Sequence, residues 1–265
     1  MDKLSVGLLG LACLFYLLSV ARVAKEGSRL IVWAFVLHLL GLLIQLFVQP
    51  ARFGFAQALC ATLWVSLAVL LYESKTMDLR SLLRVLAPVA ALTCALALLF
   101  PGQLLPLHAA RPSFVAHLLM GTAAYGVLFM AALHALLMVS AQRALQASGD
   151  EEQHLGPLRL IGELPPLMAL EKILFSLIGL GFVLLSFTLL SGTLFSGEVF
   201  GRAFRFDHKT LFTLLAWLVF AVLLVGRKLR GWRGRTALRF TLVGFACLLL
   251  GYVGSRFVLE VLLGR

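Results

Sequence analysis

Charged residues are scarce in this chain, and long polar segments are missing altogether. Asp, Glu, Lys and Arg make up 13% of the 265 residues, whereas apolar residues make up 61%. A soluble domain carries about 25% charged residues, so about half of the charge that a water-exposed surface requires is lacking. The composition therefore excludes a soluble globular protein of this length and predicts one that lies in a lipid bilayer.

Acidic residues are fewer than basic ones, with 12 Asp and Glu against 23 Lys and Arg and a formal net charge of +11. On a soluble surface such an excess would suggest nucleic-acid binding. Here the Lys and Arg side chains fall between apolar segments, where they set the orientation of helices and contact anionic lipid. We therefore expect the lipid bilayer to be the partner of this charge, and no nucleic acid.

Cysteine pairs with the spacing of a metal site are lacking too. All four cysteines lie within apolar segments, and no Cys-x-x-Cys pair occurs. We interpret Cys13, Cys60, Cys94 and Cys247 as small buried apolar side chains, and not as metal ligands or disulfide partners.

Eight apolar segments of about 20 residues are present, which is the helical length that crosses a hydrocarbon core of about 30 Å. Backbone polar groups in lipid must bond within their own segment, so each segment is predicted to be a helix. No cleavage site of small residues follows the first segment, so we expect it to remain as helix 1. The fold class is all-α, a polytopic transmembrane helix bundle that forms a single integral membrane domain over 1–265. The predicted helices cover 4–21, 30–48, 55–73, 82–100, 113–140, 172–194, 209–226 and 238–262.

Basic residues indicate the orientation of the bundle. The loops after helices 1, 3, 5 and 7, with their flanks, hold fifteen Lys and Arg residues, and the opposite side holds seven. Positive charge stays on the cytoplasmic side, so both termini are predicted to lie outside. The segment 142–171 is a predicted cytoplasmic loop, in which Pro165 and Pro166 end a helix and indicate a short interfacial segment. The segment 191–208 is the predicted outer loop.

Two histidines lie inside predicted membrane helices, where an ionisable side chain costs about 2.5–3.5 kcal/mol at the centre. His38 lies near the middle of helix 2 among apolar neighbours. It is either a neutral histidine bonded to the backbone or a hydroxyl of another helix, or a ligand of a metal or of haem iron. His117 lies about one turn inside the outer end of helix 5, and is either an interfacial histidine reached by water or a ligand. His134 is about 25 Å further along the same helix and cannot share a ligand with His117.

Asp207 and His208 begin helix 7 on the predicted outer side. An acidic residue at a helix N-terminus caps free backbone N–H groups and complements the helix dipole, which accounts for Asp207 without a ligand. His208 is either an exposed ligand or a contact to lipid headgroups.

The order of these segments resembles that of a known family. His38-Leu-Leu-Gly-Leu-Leu is followed by His117 with Tyr125, then by Asp207-His208-Lys209-Thr210 and by Gly251-Tyr-Val-Gly-Ser-Arg256. In this order and spacing the chain resembles the cytochrome c assembly family of CcsA-like, haem-handling membrane proteins. It is most similar to the shorter branch that includes YpjD and HemX.

The resemblance implies haem as a cofactor. In the family, a tryptophan-rich outer loop that ends in Trp-Asp-Pro-Lys-Glu holds haem, and histidines bind the iron in pairs. His38 matches a mid-membrane histidine and His117 an outer one, which makes both of them metal ligands, while Asp207 and Lys209 match the end of the loop.

The chain departs from the family pattern in two respects. Residues 191–206 contain no tryptophan, and the histidines that would complete the pairs are missing near Val225 and beyond Tyr252. Haem would then be held by one axial histidine, because iron tolerates an open sixth position, or His208 would supply a replacement outer ligand.

We therefore expect a multi-pass protein of the bacterial cytoplasmic (inner) membrane that binds or handles haem and presents it at the outer face. Its partners would be haem and a cytochrome assembly or tetrapyrrole-synthesis protein. The alternative is a non-enzymatic accessory or regulatory protein that keeps the fold without haem transfer. A transporter is disfavoured because paired broken helices are not evident. No enzyme is expected, since neither a nucleophile–base set nor a phosphate-binding glycine loop is visible.

Overall fold

Helices account for nearly all of the chain that the structure describes. The computed structural model describes residues 3–21, 25–48, 52–75, 80–105, 111–146, 167–194, 196–197 and 208–258. Seven helical segments within these ranges are long and apolar enough to cross a membrane, which confirms the predicted polytopic helix bundle. The long helices are α1 Lys3–Ala21, α2 Lys25–Phe47, α3 Phe55–Glu73, α4 Arg80–Leu99, α5 Pro112–Gln146, α6 Leu167–Leu194, α7 His208–Arg230 and α8 Gly234–Leu249.

Among the long helices of the described residues, α4 has the shortest apolar part. Its apolar part, Val85–Leu99, rises about 22 Å at 1.5 Å per residue, less than the hydrocarbon thickness of about 30 Å. Pro88 lies inside the helix and removes one backbone hydrogen bond. Small residues on one face, among them Ala90 and Cys94, are fully buried. This face packs against α1 and α3.

Several helix ends differ from the prediction. The structure has α3 at the predicted bounds, but α5 continues through Gln146 and α6 begins at Leu167. The loop predicted at 142–171 is therefore shorter, and its interfacial segment lies outside the described residues. The loop predicted at 191–208 also begins later, because α6 continues to Leu194. Residues 198–207 of that loop lie outside the described part of the chain.

The helices form two groups that meet at α3. In the N-terminal half, α1 packs on α2 and α4, and α3 packs on α2 and α4. In the C-terminal half, α5 and α7 each pack on α6 and α8. Helix α3 also packs against α5, and this contact joins the two halves along the bundle.

Gly126 allows α5 to approach α3 closely at this contact. A Cβ atom at Gly126 would overlap the Val65 side chain and lie 3.0 Å from the Thr62 carbonyl oxygen. The Ser66 hydroxyl lies 2.7 Å from the Thr62 carbonyl oxygen of its own helix and 3.1 Å from the Gly126 carbonyl oxygen. Membrane helices associate through such close packing, because lipid provides no hydrophobic driving force between them.

A small hairpin identifies one end of the bundle. Strands β1 (Arg52–Phe53) and β2 (Gln103–Leu104) pair antiparallel, with Arg52 opposite Leu104. The Phe53 ring lies 6.3 Å from the Tyr252 ring, which places the C-terminal end of the eighth helix beside the hairpin. We call this the hairpin end, and it is the predicted outer side.

The last helix is not regular at the hairpin end. A helix was predicted over 238–262, but α8 changes into a π-helical segment at Leu250–Gly254, followed by the short helix α9, Ser255–Phe257. The Tyr125 hydroxyl donates to the Leu248 carbonyl oxygen at 2.7 Å, just before the change. A π-turn leaves one backbone carbonyl displaced from the regular pattern, and here a side chain from α5 satisfies a carbonyl beside it.

Candidate functional site

His38 lies at the centre of the N-terminal half with its side chain fully buried. Its Nδ1 lies 3.3 Å from the Tyr16 hydroxyl of α1. Its Nε2 lies 2.9 Å from the Cys60 Sγ of α3. Both ring nitrogens therefore have partners on other helices, including the hydroxyl that the sequence analysis allowed as one alternative.

Cys94 of α4 completes this group. Its Sγ lies 3.9 Å from the Cys60 Sγ, and the donor atoms of His38, Cys60 and Cys94 all lie within 4.8 Å of one another. The three residues are buried, and the cysteines are free thiols. We call His38, Cys60 and Cys94 the His–Cys–Cys cluster. Together with Tyr16, it takes one side chain from each helix of the N-terminal half.

This group was not predicted, because the cysteines were interpreted as packing residues. Cys60 and Cys94 are buried as predicted, but they lie 34 residues apart on different helices, so no local spacing marks them. The positions of the two cysteines within their predicted helices could have indicated that they lie close together. Cys60 lies five residues after the start of α3 and Cys94 five residues before the end of α4, which places both about 8 Å from the same end of an antiparallel pair.

His117 lies in the C-terminal half, near the hairpin end. It is five residues from the start of α5, about 8 Å along the helix, and its side chain is half-buried. Its Nδ1 lies 2.8 Å from the Ser191 hydroxyl of α6. Ser191 itself donates to the Thr188 carbonyl at 3.0 Å.

The contact with Ser191 orients the imidazole ring of His117. When the single hydrogen of the Ser191 hydroxyl is directed to the Thr188 carbonyl, the Ser191 oxygen accepts a hydrogen from Nδ1 of His117. In that tautomer Nε2 is the unprotonated nitrogen.

The other predicted residues of the outer site lie around the start of α7. His208 is the first residue of α7 and is exposed. The Lys209 ammonium lies 6.0 Å from the centre of the Tyr252 ring. Asp207 lies outside the described residues, so its predicted capping role stays a prediction.

His134 belongs to the opposite end of the bundle. Its side chain is fully buried, and its Nδ1 lies 2.9 Å from the Met130 carbonyl of its own helix. Its Nε2 lies 3.2 Å from the Glu73 carboxylate at the end of α3. This pairing was not predicted. It gives His134 a structural partner. His134 and His117 lie at opposite ends of the bundle, in agreement with the distance of about 25 Å between them along α5.

Comparison with known proteins gives a family. Residues 23–263 match the family model described as Cytochrome C assembly protein. The inner membrane protein YpjD of Escherichia coli K12 is 31% identical over 181 residues, which cover 68% of this chain and 65% of YpjD. This chain thus spans slightly less than two thirds of that relative.

Relatives named cytochrome c biogenesis protein CcsA are also similar to this chain. That of Gloeobacter violaceus is 33% identical over 91 residues, which cover 34% of this chain and 27% of the relative. That of Prochlorococcus marinus is 25% identical over 224 residues, which cover 76% of this chain and 71% of the relative.

Proposed function

Because the chain belongs to the cytochrome c assembly family, we propose that it binds haem near the hairpin end of the bundle and presents it at the outer face of the bacterial inner membrane. The whole chain would act as a binding and handling protein and would not be an enzyme. Its partners would be the lipid bilayer, haem, and a protein of cytochrome assembly or of tetrapyrrole synthesis.

The observation that carries this proposal is the contact of 2.8 Å between Nδ1 of His117 and the Ser191 hydroxyl. This contact orients the ring, and Nε2 is the nitrogen that would bind iron when Nδ1 carries the hydrogen. The half-buried position of His117 suits a ligand that enters from the membrane surface, because one side of the ring is shielded by α6 while the helix end is nearby. The residues present therefore fit a haem ligand at this position.

His208 and Asp207 are the remaining candidates at this end. His208 is exposed at the start of α7, which is compatible with a second ligand that approaches from the outer loop. Asp207 would cap α7 beside it. Haem, when bound, would provide an iron centre with one or two axial imidazoles, and the chain's own residues would hold and orient it.

His38 fits haem less well than His117 does. The Cys60 sulfur lies 2.9 Å from Nε2, where an axial ligand would have to meet the iron, and His38 is fully enclosed by α1–α4. A porphyrin at this nitrogen would require the Cys60 side chain to move and the helices to separate. We therefore assign haem to His117, and the predicted internal haem ligand His38 becomes the weaker part of the proposal.

One observation favours the accessory role without haem transfer. The position expected to pair with His38 is near Val225, and Val225 is 56% exposed on α7, in the other half of the bundle from His38. The family's mid-membrane histidine pair therefore has no counterpart at that position. A protein that keeps the fold while regulating a partner would show this loss.

Haem binding is tested by the absorption spectrum of detergent-purified protein after haem is supplied. We expect a Soret band in the wild type that is lost in His117→Ala and recovered when free imidazole is added. The matched control is His154→Ala, which removes a histidine from the predicted cytoplasmic loop and should leave the band unchanged. A wild type without a Soret band, or a His117→Ala variant that keeps it, would exclude the proposed site and favour the accessory role.

A further inference from the structure

We propose that the His–Cys–Cys cluster binds a single thiophilic metal ion, either Zn²⁺ or Cu⁺, inside the N-terminal half. This inference is independent of haem at His117, because the cluster lies on α2, α3 and α4 and His117 lies on α5. It is an alternative to haem only at His38, the weaker haem candidate. It also reassigns Cys60 and Cys94, which the sequence analysis interpreted as packing residues.

The distances suit a metal ion. With metal–sulfur bonds of about 2.3 Å and tetrahedral angles, two ligating sulfur atoms lie about 3.8 Å apart, and the Cys60 and Cys94 sulfurs lie 3.9 Å apart. The third donor is also in range, since all three donor atoms lie within 4.8 Å of one another. Nε2 of His38 and Sγ of Cys60, now 2.9 Å apart, would separate to about 3.6 Å around the ion, a displacement that small side-chain rotations provide.

The donor types select the ion. Thiolates prefer soft ions such as Cu⁺ and Zn²⁺, and imidazole binds both. Mg²⁺ and Ca²⁺ require oxygen ligands, and the cluster presents none. The three donors leave one position open for a fourth ligand on Zn²⁺, or complete a three-coordinate site for Cu⁺.

The charge of the site is balanced in either case. A net charge that is buried inside a membrane protein is costly, so a neutral complex is favoured. Zn²⁺ becomes neutral when both Cys60 and Cys94 lose their thiol protons, and Cu⁺ becomes neutral when one of the two does. Binding therefore releases two protons to solvent with Zn²⁺ and one with Cu⁺, which distinguishes the two ions.

Tyr16 contacts the ring nitrogen of His38 that does not face the cysteines. It is fully buried, and its hydroxyl lies 3.3 Å from Nδ1 of His38. When Nε2 binds the ion, Nδ1 carries the hydrogen and donates to the Tyr16 oxygen. Metal-binding histidines have this second contact almost without exception, so Tyr16 is a positioning residue for His38.

The test is the metal content of full-length protein purified without added haem and then exposed separately to Zn²⁺ and to Cu⁺ under reducing conditions. We expect a single ion per chain, measured by mass spectrometry of the metal, with the proton release given above. Cys60→Ser and Cys94→Ser should each lower the affinity by at least about 100-fold, since second-shell changes alone lower it 10- to 100-fold. The matched control is Cys247→Ser in α8, which should bind as the wild type does.

A second measurement needs no variant. Co²⁺ bound to the wild type should show the near-ultraviolet charge-transfer absorption of cobalt–thiolate bonds, and ligation by nitrogen or oxygen alone would not produce it. The inference is overturned if neither ion binds, if Cys60→Ser and Cys94→Ser bind as tightly as the wild type, if the cobalt band is missing, or if peptide mapping finds a Cys60–Cys94 disulfide in the purified protein. Circular dichroism and gel filtration of each variant establish that the fold is retained.

Discussion

Two histidines, His38 in the N-terminal half and His117 in the C-terminal half, have very different surroundings. His38 is fully buried, and its two nitrogens face a phenol and a thiol from neighbouring helices. His117 is half-buried near a helix end, and its Nδ1 is held by a hydroxyl. These surroundings are why we propose a small soft ion as the ligand of His38 and haem as the ligand of His117.

The difference follows from what packs around each ring. In the N-terminal half, four helices enclose His38, so the space around Nε2 is limited to the Cys60 and Cys94 sulfurs. Near the hairpin end, His117 is shielded on the side of α6, and its position close to the start of α5 brings it near the surface. The neighbouring helices, and not the histidine itself, therefore determine the size of ligand that each site admits.

The largest expected effect is the selective loss of one ligand, the metal ion, when His38 is replaced. His38→Ala should remove metal binding and leave the Soret band of haem-supplied protein at its wild-type intensity. The physical reason is that the two rings lie in different halves and share no ligand. The measurement is metal content and absorption spectrum on the same preparation. A His38→Ala protein that loses both signals while remaining folded would show that one site depends on the other.

The next effect is on thermal stability. An ion that binds only the folded protein raises the free energy of unfolding by about 2.7 kcal/mol at a concentration 100 times its dissociation constant. Zn²⁺ or Cu⁺ should therefore raise the melting temperature of the wild type and of Cys247→Ser, but not that of Cys94→Ser. Differential scanning fluorimetry in detergent measures this. Equal stabilisation of all three proteins would place the ion elsewhere in the chain.

The contact between the halves gives a third prediction. Gly126→Ala puts a methyl group against Val65 and the Thr62 carbonyl, and overpacking of this kind costs about 1–3 kcal/mol. We expect a lower unfolding midpoint with both ligands still bound, because neither site lies at this contact. Gly179→Ala on α6 is the control, since nothing lies within 4 Å of a Cβ atom there. Equal midpoints for the two variants would contradict the close approach of α3 and α5.

The smallest expected effects come from the hydroxyl groups that contact Nδ1 of each imidazole ring. Tyr16→Phe should weaken metal binding by about 10-fold without changing haem binding, and Ser191→Ala should weaken haem binding by about 10-fold without changing metal binding. Each variant removes one hydroxyl that orients an imidazole. Titrating each variant with the metal ion and with haem tests which hydroxyl supports the binding of which ligand. A variant that weakens the wrong ligand would contradict the separation of the two sites.

Much of the fold was predictable because membrane helices follow from the length of apolar segments alone. The predicted helix at 55–73 has the bounds that α3 shows, Phe55–Glu73. The π-helical segment at Leu250–Gly254 was not predicted, because its residues are as apolar as those of the preceding α-helix. Its position beside the Tyr125 hydroxyl depends on tertiary contact, which hydropathy does not contain.

The site was predictable only in part, for a similar reason. Single polar residues in an apolar helix are conspicuous, so His38 and His117 were identified as candidates. Cysteines in such a helix are not conspicuous, because a thiol is nearly apolar, and only the packing of α3 against α4 brings Cys60 and Cys94 together. The pairing of Glu73 with His134 likewise joins two helices and has no local signal.

The central claim is that the two halves of this cytochrome c assembly family protein bind separate ligands. It is tested most directly by one preparation of His117→Ala, supplied with haem and with Zn²⁺ or Cu⁺ and measured for both. We expect this variant to lack the Soret band while its metal content equals that of the wild type. Retention of the Soret band, or loss of the metal together with the haem in a folded variant, would contradict it.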